Sequence, residues 1–173
     1  MAKVVVTGGT GLVGGALVPV LSSLGFEVII LSTNEAKAKL SADISYWNPV
    51  KGIVNEELIQ SADYIIHLAG YSLLTKRWND KVKQQIVDSR VESARFLHKV
   101  LAKKSKLKAF ISASGVGYYG AVTHDKIYSE EDASYNDFVS DVCVKWEGAA
   151  DLFQNVCERV VKLRIGIVLT KDG

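Results

Sequence analysis

Two rhythms of apolar and polar positions take turns along this chain. Unbroken apolar runs, rich in β-branched residues, occupy residues 3–7 (KVVVT), 27–31 (EVIIL), 44–47 (ISYW), 64–69 (YIIHLA), 108–114 (KAFISAS) and 160–168 (VVKLRIGIV). Such runs predict strands, and the segments between them, 12–24, 35–40, 55–61, 79–104 and 137–157, predict helices. Strands that are continuously apolar rather than alternating are expected to be buried on both faces, as in a parallel sheet covered by helices. There is no internal repeat, low-complexity segment or linker in the sequence. The pattern predicts one α/β domain over residues 1–173, a doubly wound parallel sheet in the order 3-2-1-4-5-6. The last residues, GIVLTKDG, come where a two-lobed protein of this class would begin its second lobe. The expectation is an N-terminal piece without its C-terminal substrate lobe, leaving apolar surface at the open side of a cleft.

Composition narrows the partners. The chain of 173 residues suits one well-buried domain and is short for two. Hydrophobic residues make up 48% and charged residues 23%, the profile of a soluble globular chain. The formal net charge is only +2, and basic residues are mixed with acids, as in KRWNDKVKQQIVDSR, so nucleic-acid binding by charge is not expected. No apolar stretch approaches the roughly 18 residues of a membrane span, and none of the marks of a signal peptide precedes the first strand. Cys143 and Cys157 fall on one predicted helix. At 1.5 Å per residue they would lie about 21 Å apart, beyond disulfide reach. They read as reduced thiols, and the expected location is the cytoplasm. No His/Cys/acid spacing points to a metal.

Between the first strand and the first helix stands Thr7-Gly8-Gly9-Thr10-Gly11-Leu12-Val13-Gly14. It satisfies both GxxGxxG (Gly8, Gly11, Gly14) and GxGxxG (Gly9, Gly11, Gly14). In a strand–loop–helix setting, such glycines allow a tight turn, close approach of backbone to a pyrophosphate, and close helix–sheet packing; the helix N-terminus adds amides and a positive dipole end. A glycine-rich turn without ligand is the plainer alternative, and the βαβ rhythm beyond the loop weighs against it. The candidate contacts are Gly8, Thr10, Gly11, Leu12 and Val13. The second strand ends in Ser32-Thr33-Asn34 instead of the acid that would take ribose hydroxyls and repel a 2′-phosphate. With Lys37 and Lys39 nearby, NADP(H) is expected over NAD(H), unless those lysines are only a solvated helix face.

These residues resemble the short-chain dehydrogenase/reductase superfamily in its extended, nucleotide-sugar-epimerase-like branch. TGGTGLVG is similar to that branch's TGxxGxxG loop, ADYIIHLAG (62–70) to its DxxxHLA strand, and FISASGVGYYG (110–120) to its Ser…Tyr-Gly segment. More narrowly, KRWN, SGVGYYG, VCVKWE and LRIGIVL resemble an atypical epimerase-like subfamily. The resemblance implies that Leu68, Ala69 and Gly70 lie along the cofactor and that Asn48, in the YWNP turn, contacts adenine. It further implies a dinucleotide and a small-molecule substrate of unknown identity as partners, with a homodimer as the remaining expected assembly.

The departures concern catalysis. The superfamily's YxxxK pair is missing: none of the seven tyrosines has a lysine four residues later. Counting back from Glu147, which resembles the acid following that motif, puts Cys143 at the lysine position and Val139 at the tyrosine position. Lys145 is rotated about 200° away on the helix and is no substitute. Arg90 replaces the usual helix asparagine, and Ser114 retains the upstream serine. Arg90 falls within the apolar stripe Val82, Ile86, Val87, Ala94, Leu97 and Leu101. It is either a snorkelling or acid-paired arginine, or a contact for an anion or nucleotide at the sheet's ligand edge. Cys143, at the edge of a second stripe, is a small core residue or an active-site one. Tyr118 and Tyr119 follow the fifth strand, where open sheets bind ligands; one is expected to pack and the other to donate a hydrogen bond or a proton. His67 reads as a structural hydrogen-bonder, Trp78 and Trp146 as core anchors, and His124 as part of a flap-like polar loop.

Two functions remain in play. One is an NADP(H)-dependent oxidoreductase or epimerase-like enzyme acting on an unknown substrate, nucleotide-linked or carbonyl, with Ser114, Tyr118, Tyr119, Arg90 and Cys143 as its catalytic candidates. The other is a non-catalytic NADP(H)-binding sensor, which the missing YxxxK favours.

Overall fold

A computed structural model of the chain describes residues 1–73, 76–102, 107–122 and 125–169. Its elements run β1 (Lys3–Thr7), α1 (Leu12–Ser23), β2 (Glu27–Ser32), α2 (Glu35–Leu40), β3 (Ile44–Tyr46), α3 (Glu56–Gln60), β4 (Tyr64–His67), α4 (Asp80–Leu101), β5 (Ala109–Gly115), α5 (Phe138–Asp151) and β6 (Val160–Ile165). The six strands form one sheet in the order β3-β2-β1-β4-β5-β6, and every pairing is parallel. The order in which strands are added reverses between β1 and β4, which opens a crevice at the carboxyl ends of those strands. The fold class and strand order are those the apolar rhythm predicts.

Alternation along β1 divides the core. Val5 faces a large cluster with Leu31, Ile65 and Phe110, covered by α4 and α5 through Val91, Ala94, Leu97, Ala150 and others. Val4 and Val6 face the opposite side with Val28 and Ile66, covered by Leu17, Val18 and Leu21 of α1. Helix α1 contains Gly14, Gly15 and Pro19, all poor helix formers, so packing of this apolar face holds it together more than propensity does.

Burial on both faces holds for the central strands and fails at the edges. In β6, Lys162 and Leu163 are exposed, because an edge strand has a neighbour on one side only. The predicted helix over 137–157 breaks after Asp151 into a 3-10 turn (Leu152–Asn155). Cys157 is therefore not on the helix of Cys143; it bridges to Leu107, and its Sγ donates to the Phe153 carbonyl at 3.1 Å. Both thiols are buried and unbridged. A second 3-10 turn (Val116–Tyr119) continues β5 and was not foreseen. Among the described residues no helix is long and apolar enough to cross a membrane. His124 lies outside the described residues.

Candidate functional site: a backbone cradle and an adjoining cavity

The glycine loop is built by contact of main chain with main chain. Gly8 has φ +69°, and a Cβ there would lie 2.8 Å from the Leu68 carbonyl and 2.9 Å from Ala69 N. A Cβ on Gly14 would lie 2.5 Å from Gly8 O and from Gly9 Cα. The Leu68-Ala69-Gly70 turn is thus packed against the loop. Helices α2, α3, α4 and α5 all begin with an Asn or Asp side chain accepting a first-turn amide, Asn34 from Lys37, Asn55 from Leu58, Asn79 from Val82 and Asp137 from Ser140. Helix α1 has Gly11 at its N-cap and no side-chain cap. Its first internal bond runs from Gly15 N to Gly11 O at 2.7 Å, leaving the amides of Leu12, Val13 and Gly14 ahead of it. Thr10, Gly11 and Leu12 are exposed there. A cradle that a methyl group would fill, at an uncapped helix N-terminus, fits the pyrophosphate of a dinucleotide.

At the end of β2, Ser32 is buried and its Oγ accepts the Asn34 amide at 3.1 Å, while Thr33 and Asn34 are exposed. Lys39 is tied to Glu35 at 2.8 Å, and no such pairing is seen for Lys37 among the described residues. The Asn48 side chain closes its own turn: Oδ1 accepts the Lys51 amide at 3.0 Å and Nδ2 donates to Tyr46 Oη at 3.3 Å.

Below the loop, Thr7 and His67 lock β1 to β4. Thr7 Oγ1 accepts the Ala69 amide at 3.1 Å and lies 2.8 Å from His67 Nδ1. Ser93 Oγ already donates to backbone carbonyls of α4 and lies 3.2 Å from His67 Nε2. The network assigns the Thr7 proton to Nδ1 and the ring proton to Nε2. Full burial pushes His67 down to about 4, against the opposing pull of the Arg90 carbonyl, so the ring is neutral and structural.

Three catalytic candidates meet in a cavity of about 290 Å³, lined among others by Arg90, Ser114, Val139, Cys143 and Trp146. Ser114 Oγ donates to Glu147 Oε1 at 2.7 Å. Glu147 is buried and is clamped by Arg164 through Nε at 2.8 Å and Nη2 at 3.0 Å. Burial works against its charge, but the bonds from Arg164 and Ser114 prevail and hold the carboxyl below the usual range. Cys143 Sγ lies 3.6 Å from Gly115 O, and burial above all pushes its thiol up, so it is a neutral group at the lysine position. Val139 packs on the 3-10 turn, where a Cβ on Gly117 would lie 2.5 Å from its Cγ1. Arg90, 8% exposed, donates through Nη1 to the carbonyls of Ile86 at 2.9 Å and Tyr71 at 3.1 Å and lies over the Trp146 ring.

Tyr118 and Tyr119 are not brought to this cavity. The Arg164 guanidinium sits 3.5 Å from the Tyr118 ring centre and donates to Tyr119 Oη, which in turn donates to the Ser129 carbonyl. Both rings therefore anchor the segment after β5. Trp146 is a core residue, but Trp78 is 38% exposed and pins the preceding loop through Nε1 to the Leu73 carbonyl and an edge contact with Phe138. Arg164 and the role of Glu147 escaped the sequence reading. Their signal was there: a charge inside the apolar run VVKLRIGIV and an acid on the apolar stripe of α5, a half-buried cation and a buried anion that call for each other. Along the rim, Leu12, Ile167 and Leu169 are exposed beside a groove lined by Val13, Ala16, Leu17 and Ile165.

Known proteins resemble this chain in sequence and fold. An epimerase family protein of Mycobacterium leprae is 32% identical over 172 residues, covering 99% of this chain and 54% of the relative. One from Staphylococcus aureus is 34% identical over 179 residues, covering 100% of this chain and 57% of the relative. The chain thus spans about half the length of these curated relatives. Among solved structures, the human epimerase family protein SDR39U1 with NADPH superposes with a TM-score of 0.81 at 30% identity, over 99% of this chain and 56% of that one. A nucleoside-diphosphate sugar epimerase of Corynebacterium glutamicum gives 0.83 at 35%, over 99% and 35%. A profile of the NAD dependent epimerase/dehydratase family matches residues 4–141, the stretch that carries the glycine loop, the Leu68–Gly70 turn and Ser114. The chain belongs to the NAD dependent epimerase/dehydratase family.

Proposed function

We propose that this domain binds NADP(H) in preference to NAD(H) and forms the cofactor half of an epimerase-like oxidoreductase acting on a small hydroxyl or carbonyl compound. The observation that carries the reading is the cradle of Gly8 and Gly14 before the uncapped α1. The amides of Leu12, Val13 and Gly14 would hold the pyrophosphate, Thr10 and Gly11 would flank it, and Leu68, Ala69 and Gly70 would lie beside the nicotinamide half. Ser32, Thr33 and Asn34, with no acid among them, would receive the 2′-phosphate, and Asn48 would border the adenine. SDR39U1, whose structure contains NADPH, supports the preference. The bound nucleotide would supply or accept hydride; the protein would orient the substrate and balance charge. Arg90 would balance negative charge on the substrate, Ser114 would hold its hydroxyl, and Cys143 would fill the lysine position without charge. The apolar rim at Leu12, Ile167 and Leu169 is the surface against which the remaining half seen in the longer relatives would close.

Fluorescence titration with NADPH and NADH tests the cofactor reading. Tighter NADPH binding is expected, and Ser32→Asp should weaken NADPH by adding a repelling charge while leaving NADH nearly unchanged. Equal affinities would remove the argument from the missing acid. A carbonyl panel with NADPH then tests turnover in the protein and in Ser114→Ala, Arg90→Ala and Cys143→Ala. Losing a general acid costs about 10²–10⁴-fold, so turnover should be slow. Activity that survives all three substitutions would refute the site.

A second reading, a non-catalytic NADP(H) sensor, is favoured by one observation: the Ser114 proton is already committed to Glu147. Tight NADPH binding with no turnover would select it.

A further inference from the structure

The cavity beside Ser114 has a definite polarity. Arg90 carries five N–H donors. Nη1 spends its pair on the carbonyls of Ile86 and Tyr71, with Ser89 Oγ at 3.4 Å. Nε and Nη2 hold the remaining three, and neither has a hydrogen-bond partner among the described residues. The only fully enclosed side-chain nitrogen or oxygen without a partner among those residues is Trp146 Nε1, so the free edge of Arg90 opens to accessible space. The guanidinium is closely packed: the Trp146 ring centre lies 4.9 Å from Cζ, and a Cβ on Gly70 would meet Cζ at 2.8 Å. What remains is an edge, a fork of parallel donors of the kind that matches a carboxylate in two-point fashion.

Nothing in the cavity neutralises that edge. Among the described residues no acid pairs with Arg90, and Glu147 is committed to Arg164 and Ser114. A buried cation without a counter-ion costs several kcal/mol, which a bound anion would offset. Ser114 has the opposite polarity. Glu147 is ionised and can only accept, so the Ser114 proton points to it and only lone pairs are left for a ligand. The remaining wall is apolar, with Leu73, Val139, Val142 and Ile167. The space between them is small, about 290 Å³.

Building on the reading of this cavity as the substrate site, we propose that its ligand is a small monocarboxylate bearing a hydroxyl group. The carboxylate lies against Nε and Nη2 of Arg90, and the hydroxyl donates to Ser114 Oγ. An apolar tail fills the rest. A neutral sugar would leave the Arg90 edge unanswered.

Three matched probes test this on the full chain, with and without NADP+: 2-hydroxyhexanoate, hexanoate and 2-hydroxyhexanamide. Calorimetry measures affinity, and alkylation of Cys143 followed by peptide mass spectrometry reports whether the cavity is filled. The hydroxy acid should bind best and protect Cys143. Hexanoate should be weaker by about threefold to tenfold, the worth of one neutral hydrogen bond. The amide should be weaker by about 10- to 100-fold, the worth of a charge-assisted pair. Arg90→Gln should erase the preference for acid over amide, and Ser114→Ala that for hydroxy acid over hexanoate. The unsubstituted chain decides even if a variant misfolds: an amide that binds as well as the acid, or three probes that all fail to protect Cys143, overturns the proposal. NADPH titration of the same sample separates the two readings. Nucleotide binding without anion binding sinks this inference alone, and anion protection without nucleotide binding sinks the cofactor reading alone.

Discussion

The cradle at the end of β1 and the cavity at the end of β5 are neighbours built on opposite plans. The cradle is main chain throughout: its glycines remove side chains so that Gly8, Gly14 and the Leu68–Ala69 peptide can touch, and its helix start is left uncapped. The cavity is made of side chains drawn from separate elements, Arg90 from α4, Ser114 from β5, Cys143 and Glu147 from α5 and Arg164 from β6. A main-chain site has little freedom to vary, because a Cβ on Gly8 or Gly14 collides with backbone atoms that cannot swing away. A side-chain site can exchange residues and keep the same frame.

The largest effect that would sharpen the contrast is expected from Gly14→Ala. Its new methyl would meet backbone on both Gly8 and Gly9, so NADPH binding should fall at least 100-fold in fluorescence titration while the Ser114–Glu147–Arg164 cluster, and with it anion protection of Cys143, persists. If Gly14→Ala binds normally, the cradle is not the cofactor site.

Next is Arg164→Ala, which removes the half-buried cation that clamps the buried Glu147 and leaves that carboxylate uncompensated. A loss of about 3–5 kcal/mol in denaturant unfolding is expected. A companion Glu147→Gln should be milder, since glutamine can still accept from Ser114. Equal losses would mean that charge, and not positioning, dominates the cavity.

His67 gives a pH signature to the joint between the two sites. Its folded pKa of about 4 lies below the ordinary 6.5, so the unfolded chain takes up a proton first as pH falls. The stability tied to the neutral ring is complete above about pH 6.5, declines between 6.5 and 4, and amounts to roughly 3 kcal/mol. Thermal melts across that range should show the decline, and His67→Gln should flatten it.

The smallest effect has the opposite sign. Gly15 adjoins Gly14, but nothing lies within 4 Å of a Cβ there. Gly15→Ala should raise stability by about 0.5–1 kcal/mol through helix propensity and leave nucleotide binding intact. Destabilisation would show that the loop needs freedom at both positions.

By itself the sequence determined the layers, the strand order and the cradle. Those features rest on local rules: period-two and period-3.6 burial, and glycine where no side chain fits. Tertiary structure alone decided who partners whom. Arg164 is 17 positions from Glu147 and 45 from Tyr119, yet it clamps one and holds the other, turning Tyr118 and Tyr119 into anchors. The direction of the Ser114 proton follows from that clamp. Cys157 left the helix because the chain tightens after Asp151. Hydrogen bonds between side chains on different elements depend on distances that no periodicity encodes, and for that reason the glycine loop's place between β1 and α1 was legible in the sequence while the polarity of the neighbouring cavity was not.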